Sequence, residues 1–189
     1  MSDDGRTVCC RARIPVKKGK NPERVIRNGQ PVTGPRKHIR ELVMSRDGRS
    51  IAFLEFDTES RRPVIVRDGT VVSGGARNVG RPVFSPDGRS LAFWVELHDA
   101  PGPFRKCMTR DGVPLPGRHY VVCDPVFCPD GRSLAYAAGG GGHYRVFVEG
   151  EALPGTSEAA PALAVDREGK RLICIELREG TVYRVEATW

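Results

Sequence analysis

The residues able to do chemistry in this 189-residue chain are few: four histidines (His38, His98, His119, His143), six cysteines, and scattered acids. His98-Asp99 is the one place where a histidine adjoins a carboxylate. With Asp57 and Glu59 from a neighbouring loop it is the best candidate for proton transfer or metal binding. No spacing fixes such a site. There is no HExxH, no nucleophile elbow and no Cys/His pair at useful separation. Cys123 and Cys128 lie five apart with no second pair to complete a zinc site. Ser73-Gly74-Gly75 and the run Gly139 to Gly142 lack the lysine and the strand-to-helix setting of a phosphate loop. The reading is therefore of a chain without catalytic residues, metal ligands or cofactor, and not an enzyme. The cysteines sit mostly in apolar runs and read as reduced, small hydrophobes of a cytoplasmic protein, since Met1-Ser2-Asp3-Asp4-Gly5 opens no secretory signal.

A second chemical possibility is anion binding. Lys and Arg number 30 against 23 Asp and Glu, a net charge of +7. The excess is not spread out. Residues 1–41 contain eleven basic and four acidic groups, and residues 42–189 are neutral. Arg11, Arg13, Lys17, Lys18, Lys20 and Arg24 form the densest stretch, a candidate contact for phosphates or an acidic protein surface. Against nucleic acid stands the lack of any Phe, Tyr or Trp in residues 1–41, because single-strand platforms interleave aromatics with basic residues. A charge run is also the ordinary composition of a solvated loop.

These residues are set on a repeat. Leu42 to Phe53, Pro82 to Phe93 and Pro125 to Tyr136 share one pattern, clearest as Pro82-Val83-Phe84-Ser85-Pro86-Asp87-Gly88-Arg89-Ser90-Leu91-Ala92-Phe93. A decayed copy covers Ala162 to Ile173, and a half-copy covers Ser2 to Thr7. The turn glycines Gly5, Gly48, Gly88, Gly131 and Gly169 are spaced 43, 40, 43 and 38 apart. A second turn keeps phase with the first: Asn28-Gly29, Asp68-Gly69, Asp111-Gly112 and Glu149-Gly150, each followed by another glycine five residues on. Asn-Gly and Asp-Gly between apolar, β-branched runs signal hairpins. Strands such as Leu91 to Val95 are apolar on both faces, as in a sheet covered on both sides. Four short strands per unit of about 40 residues, stacked face to face, describe propeller blades. The units run approximately 1–41, 42–81, 82–124, 125–161 and 162–189.

The run Ser85 to Phe93 resembles the WD-like repeat of TolB-type β-propellers, and the resemblance extends over nearly the whole chain. It implies an all-β fold, a small propeller of about five blades. It implies no particular activity, because propellers of this type serve as adaptors, periplasmic components or noncatalytic domains. About 18 strands are countable where five full blades need about 20. The favoured reading is a ring that closes with short end blades; the alternatives are an arc completed by a partner or a second copy, and a piece of a longer propeller. No apolar run approaches the roughly 18 residues of a membrane span.

The loops between the hairpins diverge while the turns repeat, which is the pattern of a recognition face on a constant scaffold. Asp57, Arg61, His98, Asp99 and Phe104 are its candidate partner-binding residues. The repeated Asp and Arg of the turns read as structure. Together these features point to a noncatalytic, protein-binding subunit or adaptor of a larger bacterial assembly. The alternative is a nucleic-acid-associated subunit using the basic first unit.

Overall fold

Twenty strands and no helix make up the computed structural model, which describes residues 1–16, 21–36, 38–57, 59–98, 102–103, 105–128, 131–166 and 171–188. No helix among these residues is long and apolar enough to cross a membrane. The strands form five antiparallel sheets in chain order. The first holds β1 (Cys9–Arg13), β2 (Glu23–Arg27) and β3 (Gln30–Pro31). The second holds β4 (Ile39–Met44), β5 (Ile51–Phe56), β6 (Pro63–Arg67) and β7 (Thr70–Val71). The third holds β8 (Asn78–Val79), β9 (Val83–Phe84), β10 (Leu91–Glu96), β11 (Lys106–Arg110) and β12 (Val113–Pro114). The fourth holds β13 (Val121–Val122), β14 (Val126–Phe127), β15 (Leu134–Gly140), β16 (His143–Val148) and β17 (Glu151–Ala152). The fifth holds β18 (Ala162–Asp166), β19 (Arg171–Arg178) and β20 (Thr181–Thr188).

The strand count exceeds the sequence expectation for a simple reason. β8 and β9 both pair with β10, and β13 and β14 both pair with β15, so two inner strands are each broken in two. The second sheet has a milder form of the same break, a bulge between Arg40 and Val43 with Glu41 at φ 48°. In the third sheet the interruption falls at Gly80, whose backbone lies so close to the Trp94 indole that a Cβ there would come within 2.2 Å of Nε1.

Four apolar clusters hold the sheets together, one between each consecutive pair. Val25, Ile39 and Phe53 join the first sheet to the second. Ile65, Leu91 and Phe93 join the second to the third, and Met108, Leu134 and Tyr136 the third to the fourth. Ala135, Val146, Leu172 and Cys174 join the fourth to the fifth. No cluster among the described residues combines the first sheet with the fifth. On β19, Leu172 and Cys174 face the fourth sheet, whereas Ile175 on the other face is 41% exposed. The total accessible surface is 11052 Å² for 20.7 kDa. A closed monomer of that mass exposes about 8,900 Å². The described sheets thus form an arc with the outer face of the fifth uncovered, and not the closed ring expected, because no apolar cluster of the described residues joins the first sheet to the last.

Candidate functional site

The repeated polar residues come first, because they are the most numerous. In each Ser-x-Asp-Gly-Arg turn the serine hydroxyl donates to the Asp carboxylate, at 2.6 Å for Ser45–Asp47 and 2.5 Å for Ser85–Asp87. The same carboxylate accepts the N–H of the following arginine. Ser2, Asp4 and Arg6 repeat this arrangement. The serine hydroxyl, then the arginine N–H, hold Asp4, Asp47 and Asp87 below the usual carboxylate range. The turn glycines sit at φ 70° to 72° (Gly5, Gly48, Gly88, Gly131). Gly88 also nests against the preceding turn, where a Cβ would lie 2.9 Å from Ser45 Cβ.

The second turns reach across to the next sheet. Arg67 donates to Arg89 O at 2.7 Å and Gly88 O at 3.3 Å, and its Nη1 to Asp111 Oδ1 at 3.0 Å. Arg27 does the same to Arg49 O and Gly48 O, and Arg110 to Arg132 O. Donor and acceptor arginines are 22 residues apart in all three cases. Arg67 and Arg110 further cover Phe84 and Phe127, each with 5.4 Å from guanidinium carbon to ring centre. At the fourth such position Val148 stands in place of arginine. The residue after each arginine closes its own sheet: Asp68 accepts from Ile51 N–H, Asp111 from Leu91 N–H and Asn28 from Val8 N–H. The Asp of both turns and the second-turn arginines are thereby engaged in the scaffold, whereas the first-turn Arg49 and Arg89 are exposed.

Both turn types lie at one end of the sheets, because strands alternate in direction. The middle loops therefore emerge at the opposite end. Asp57 lies there, but its carboxylate accepts the N–H of Ser60 at 2.7 Å and so shapes its own loop. Arg61 is in the same loop at φ 56°. His98 lines a cavity of about 420 Å³ between the second and third sheets with Ser73, Gly74, Gly75 and Arg118. Asp99 and Phe104 lie outside the described residues. No group of three or more His, Cys, Asp or Glu able to hold a metal occurs among the described residues.

The basic stretch is partly neutralised. Glu23 is buried, and its Oε2 accepts Ile39 N–H at 2.7 Å. Arg11 and Arg13 stand 3.8 Å and 3.6 Å from its Oε1, and Arg11 also donates to Ile39 O at 2.5 Å. Burial pushes Glu23 up, but the Ile39 N–H and the two guanidinium groups bring it below its ordinary value. Two of the six candidate cations thus brace the seam between the first and second sheets. Arg24 is half-buried on the outer face, its Nε without a hydrogen-bond partner among the described residues. Lys17, Lys18 and Lys20 lie outside the described residues.

Two features escaped the sequence reading. The first is a cleft of about 620 Å³ at the loop end, lined by Pro103, Tyr120, Gly139, Gly140, Gly141 and His143. The four-glycine run expected as a loop is half strand: Gly139 and Gly140 complete β15, and only Gly141 and Gly142 form the turn. The Tyr120 ring, 55% exposed, lies directly on Gly140, where a Cβ would come within 2.9 Å of Cδ1. Only glycine admits a ring that close to the backbone. The second is a groove of about 620 Å³ along the broken inner strands, lined by Arg40, Glu41, Phe56, Arg81, Trp94 and Asp124 among others. Arg81 and Glu41 pair across it at 3.5 Å.

No protein-family model matches the chain, and no curated protein matches it in sequence. Solved structures do. TolB from Acinetobacter baumannii superposes with a TM-score of 0.54 at 18% identity, over 99% of this chain and 51% of that one. A putative TolB from Agrobacterium tumefaciens gives 0.54 at 13% identity, over 96% and 69%. A puromycin-hydrolyzing peptidase of Mycobacterium tuberculosis gives 0.56 at 15%, over 95% and 37%. The chain spans about half the length of the first of these. At such identities the shared property is the fold, and the repeat, the stacked antiparallel sheets and these superpositions agree on it: the chain has an all-β, propeller-type fold resembling that of TolB.

Proposed function

We propose that the chain is a noncatalytic interaction module, a protein-binding subunit or adaptor of a larger bacterial assembly, built as a cytoplasmic propeller of about five blades. The observation that carries this reading is the division of labour between the two ends of the sheets. At the turn end, the recurring Asp side chains and the second-turn arginines Arg27, Arg67 and Arg110 are bonded into the scaffold. At the loop end, sequence and shape differ from sheet to sheet, and an exposed Tyr120 lies on a glycine floor beside Pro103 and His143. Exposed aromatics in a cleft are typical protein-recognition groups. The test is co-purification of the tagged chain from its native host, compared with Tyr120→Ala and His143→Ala. A stoichiometric protein lost from the variants supports the reading. Recovery of the chain alone from the wild type overturns it.

A second reading is favoured by the concentration of the whole +7 in residues 1–41. There the chain contacts phosphates of a nucleic acid through the basic first unit. The ion pairing of Arg11 and Arg13 with Glu23 reduces the charge on offer, so the protein-binding reading stands first.

A further inference from the structure

The seam between the second and third sheets is hollow where the other seams are filled. After each outermost strand the chain passes a glycine and, two residues on, turns one side chain to the next sheet: Arg36 after Gly34, Ala76 after Gly74, His119 after Gly117 and Ser157 after Gly155. Arg36 donates to Glu55 of the second sheet at 2.9 Å. The His119 ring packs on Phe147 of the fourth, with 4.7 Å between ring centres. The Ser157 hydroxyl accepts the N–H of Leu177 in the fifth at 3.0 Å. At the seam between the second and third sheets the residue is Ala76, and it follows Gly75 where the other units have Pro35, Arg118 and Thr156. A Cβ on Gly74 or Gly75 would meet no atom within 4 Å. The space left is the cavity of about 420 Å³ beside His98. The stack has not failed to pack here, because Ala52, Ile65 and Leu91 of the two sheets are in contact in the same seam.

The lining has a definite chemistry. Phe93, Val95 and Leu97 alternate along β10 and its continuation, and so form one apolar wall. Ser73 is buried, and its hydroxyl oxygen accepts the N–H of Ile65 at 3.0 Å, while its own proton has no acceptor among the described residues. Arg118 and His98 are the ionisable side chains of the lining, and no Asp or Glu of the described residues belongs to it. The Arg118 guanidinium is exposed and makes no hydrogen bond or ion pair among the described residues. An apolar cavity of this size with a few polar groups is the build of a small-molecule site. A buried hydroxyl proton and a guanidinium both call for acceptor oxygens, and the guanidinium fork matches a carboxylate.

We propose that this hollow binds a small monocarboxylate whose apolar body is about the size of a leucine or phenylalanine side chain. The body lies against Phe93, Val95 and Leu97, in the place that Arg36 and His119 fill in the neighbouring seams. The carboxylate is held by Arg118, with the Ser73 hydroxyl as the buried donor. The site is separate from the Tyr120 cleft, and it stands whether or not the chain is an adaptor.

The test is an NMR titration of the isotope-labelled 189-residue chain with two acids, phenylbutyrate and isocaproate, and with the neutral phenylbutanol. At least one acid should bind with a Kd of about 10 µM to 1 mM, the range open to a ligand of this size. The amides of Ser73, Ala76, Val95 and His98 should shift, and those of Gly139 and His143 should not. Phenylbutanol should bind about threefold to tenfold more weakly than phenylbutyrate, because the guanidinium is partly screened by solvent. Arg118→Gln should bring the acid down to the affinity of the alcohol and leave the alcohol unchanged. Ala76→Leu fills the hollow and should weaken both ligands about tenfold or more. Should Ala76→Leu fail to fold, the shift map of the wild type and the Arg118→Gln comparison carry the test. Failure of both acids to bind below about 10 mM overturns the proposal. So does an alcohol that binds as well as its acid, or a set of shifted amides that lies outside this seam.

Discussion

The sharpest test of the scaffold is a comparison of two arginines from the same repeat. Arg67 is 23% exposed and makes three hydrogen bonds into the third sheet while lying over Phe84. Arg89, in the turn that Arg67 contacts, is 88% exposed and pairs only loosely with Asp87, at 3.9 Å. Arg67→Met keeps most of the apolar stem but removes the guanidinium. Each charge-assisted bond is worth about 1–2 kcal/mol net, and the freed carbonyls regain water at the turn surface, so the loss should be about 2–3 kcal/mol. For a domain of this size that is about 5–10 °C in Tm. Arg89→Met should cost no more than about 0.5 kcal/mol, as for other exposed ion pairs. Urea unfolding followed by the fluorescence of Trp94, which lies in the third sheet, measures both. Equal losses in the two variants, or a loss below about 0.5 kcal/mol for Arg67→Met, would refute the claim that second-turn arginines clasp successive sheets.

Other outcomes follow from the same geometry. Gly5→Ala and Gly88→Ala share the cost of positive φ, about 1 kcal/mol, but only Gly88 nests against Ser45; chemical denaturation should show Gly88→Ala worse by a further 1–3 kcal/mol or so. Burial pushes Tyr136 up to about 12, above its ordinary value of 10.0, so the stability it contributes is complete below pH 10 and is lost as pH rises toward 12. Tyr136→Phe should flatten that alkaline loss in pH-dependent unfolding and cost little at pH 7, because the hydroxyl has no hydrogen-bond partner among the described residues. In the native protein a thiol reagent should label exposed Cys10 first and Cys174 among the last, since burial raises the Cys174 thiol to about 11. If the basic unit binds nucleic acid through six or more phosphates, affinity should fall by about 10³–10⁵ between 50 and 200 mM salt. No binding at low salt ends that reading.

What the sequence disclosed was local. Asn28-Gly29, Asp68-Gly69 and Asp111-Gly112 are two-residue turns with both φ positive, and the Ser-x-Asp-Gly-Arg turns repeat to within two degrees at glycine. These follow from side chains acting on their own backbone. Contacts set by stacking were harder to read. Arg67 finds Arg89 O only because the sheets are rotated into register, yet the constant separation of 22 residues was present in the sequence as a signal. The charge of residues 1–41 looked like an exposed patch because Glu23 is one acid among many bases. Its burial between Arg11 and Arg13 depends on the neighbouring sheet. Gly139 and Gly140 read as a flexible run, since nothing local announces that Tyr120 lies on them. The breaks in the inner strands, at Gly80 and beyond Cys123, left no periodicity to detect.

The central claim is that five sheets stack in sequence with the outer face of the last one uncovered. Adjacent residues of β19 test it, because Cys174 faces the fourth sheet and Ile175 faces away. In an Ile175→Cys variant, labelling by a polar maleimide should be fast at position 175, comparable to Cys10, and slow at Cys174. Equal and strong protection of both positions in the monomer would show the first sheet packed against the fifth, and would contradict the open arc.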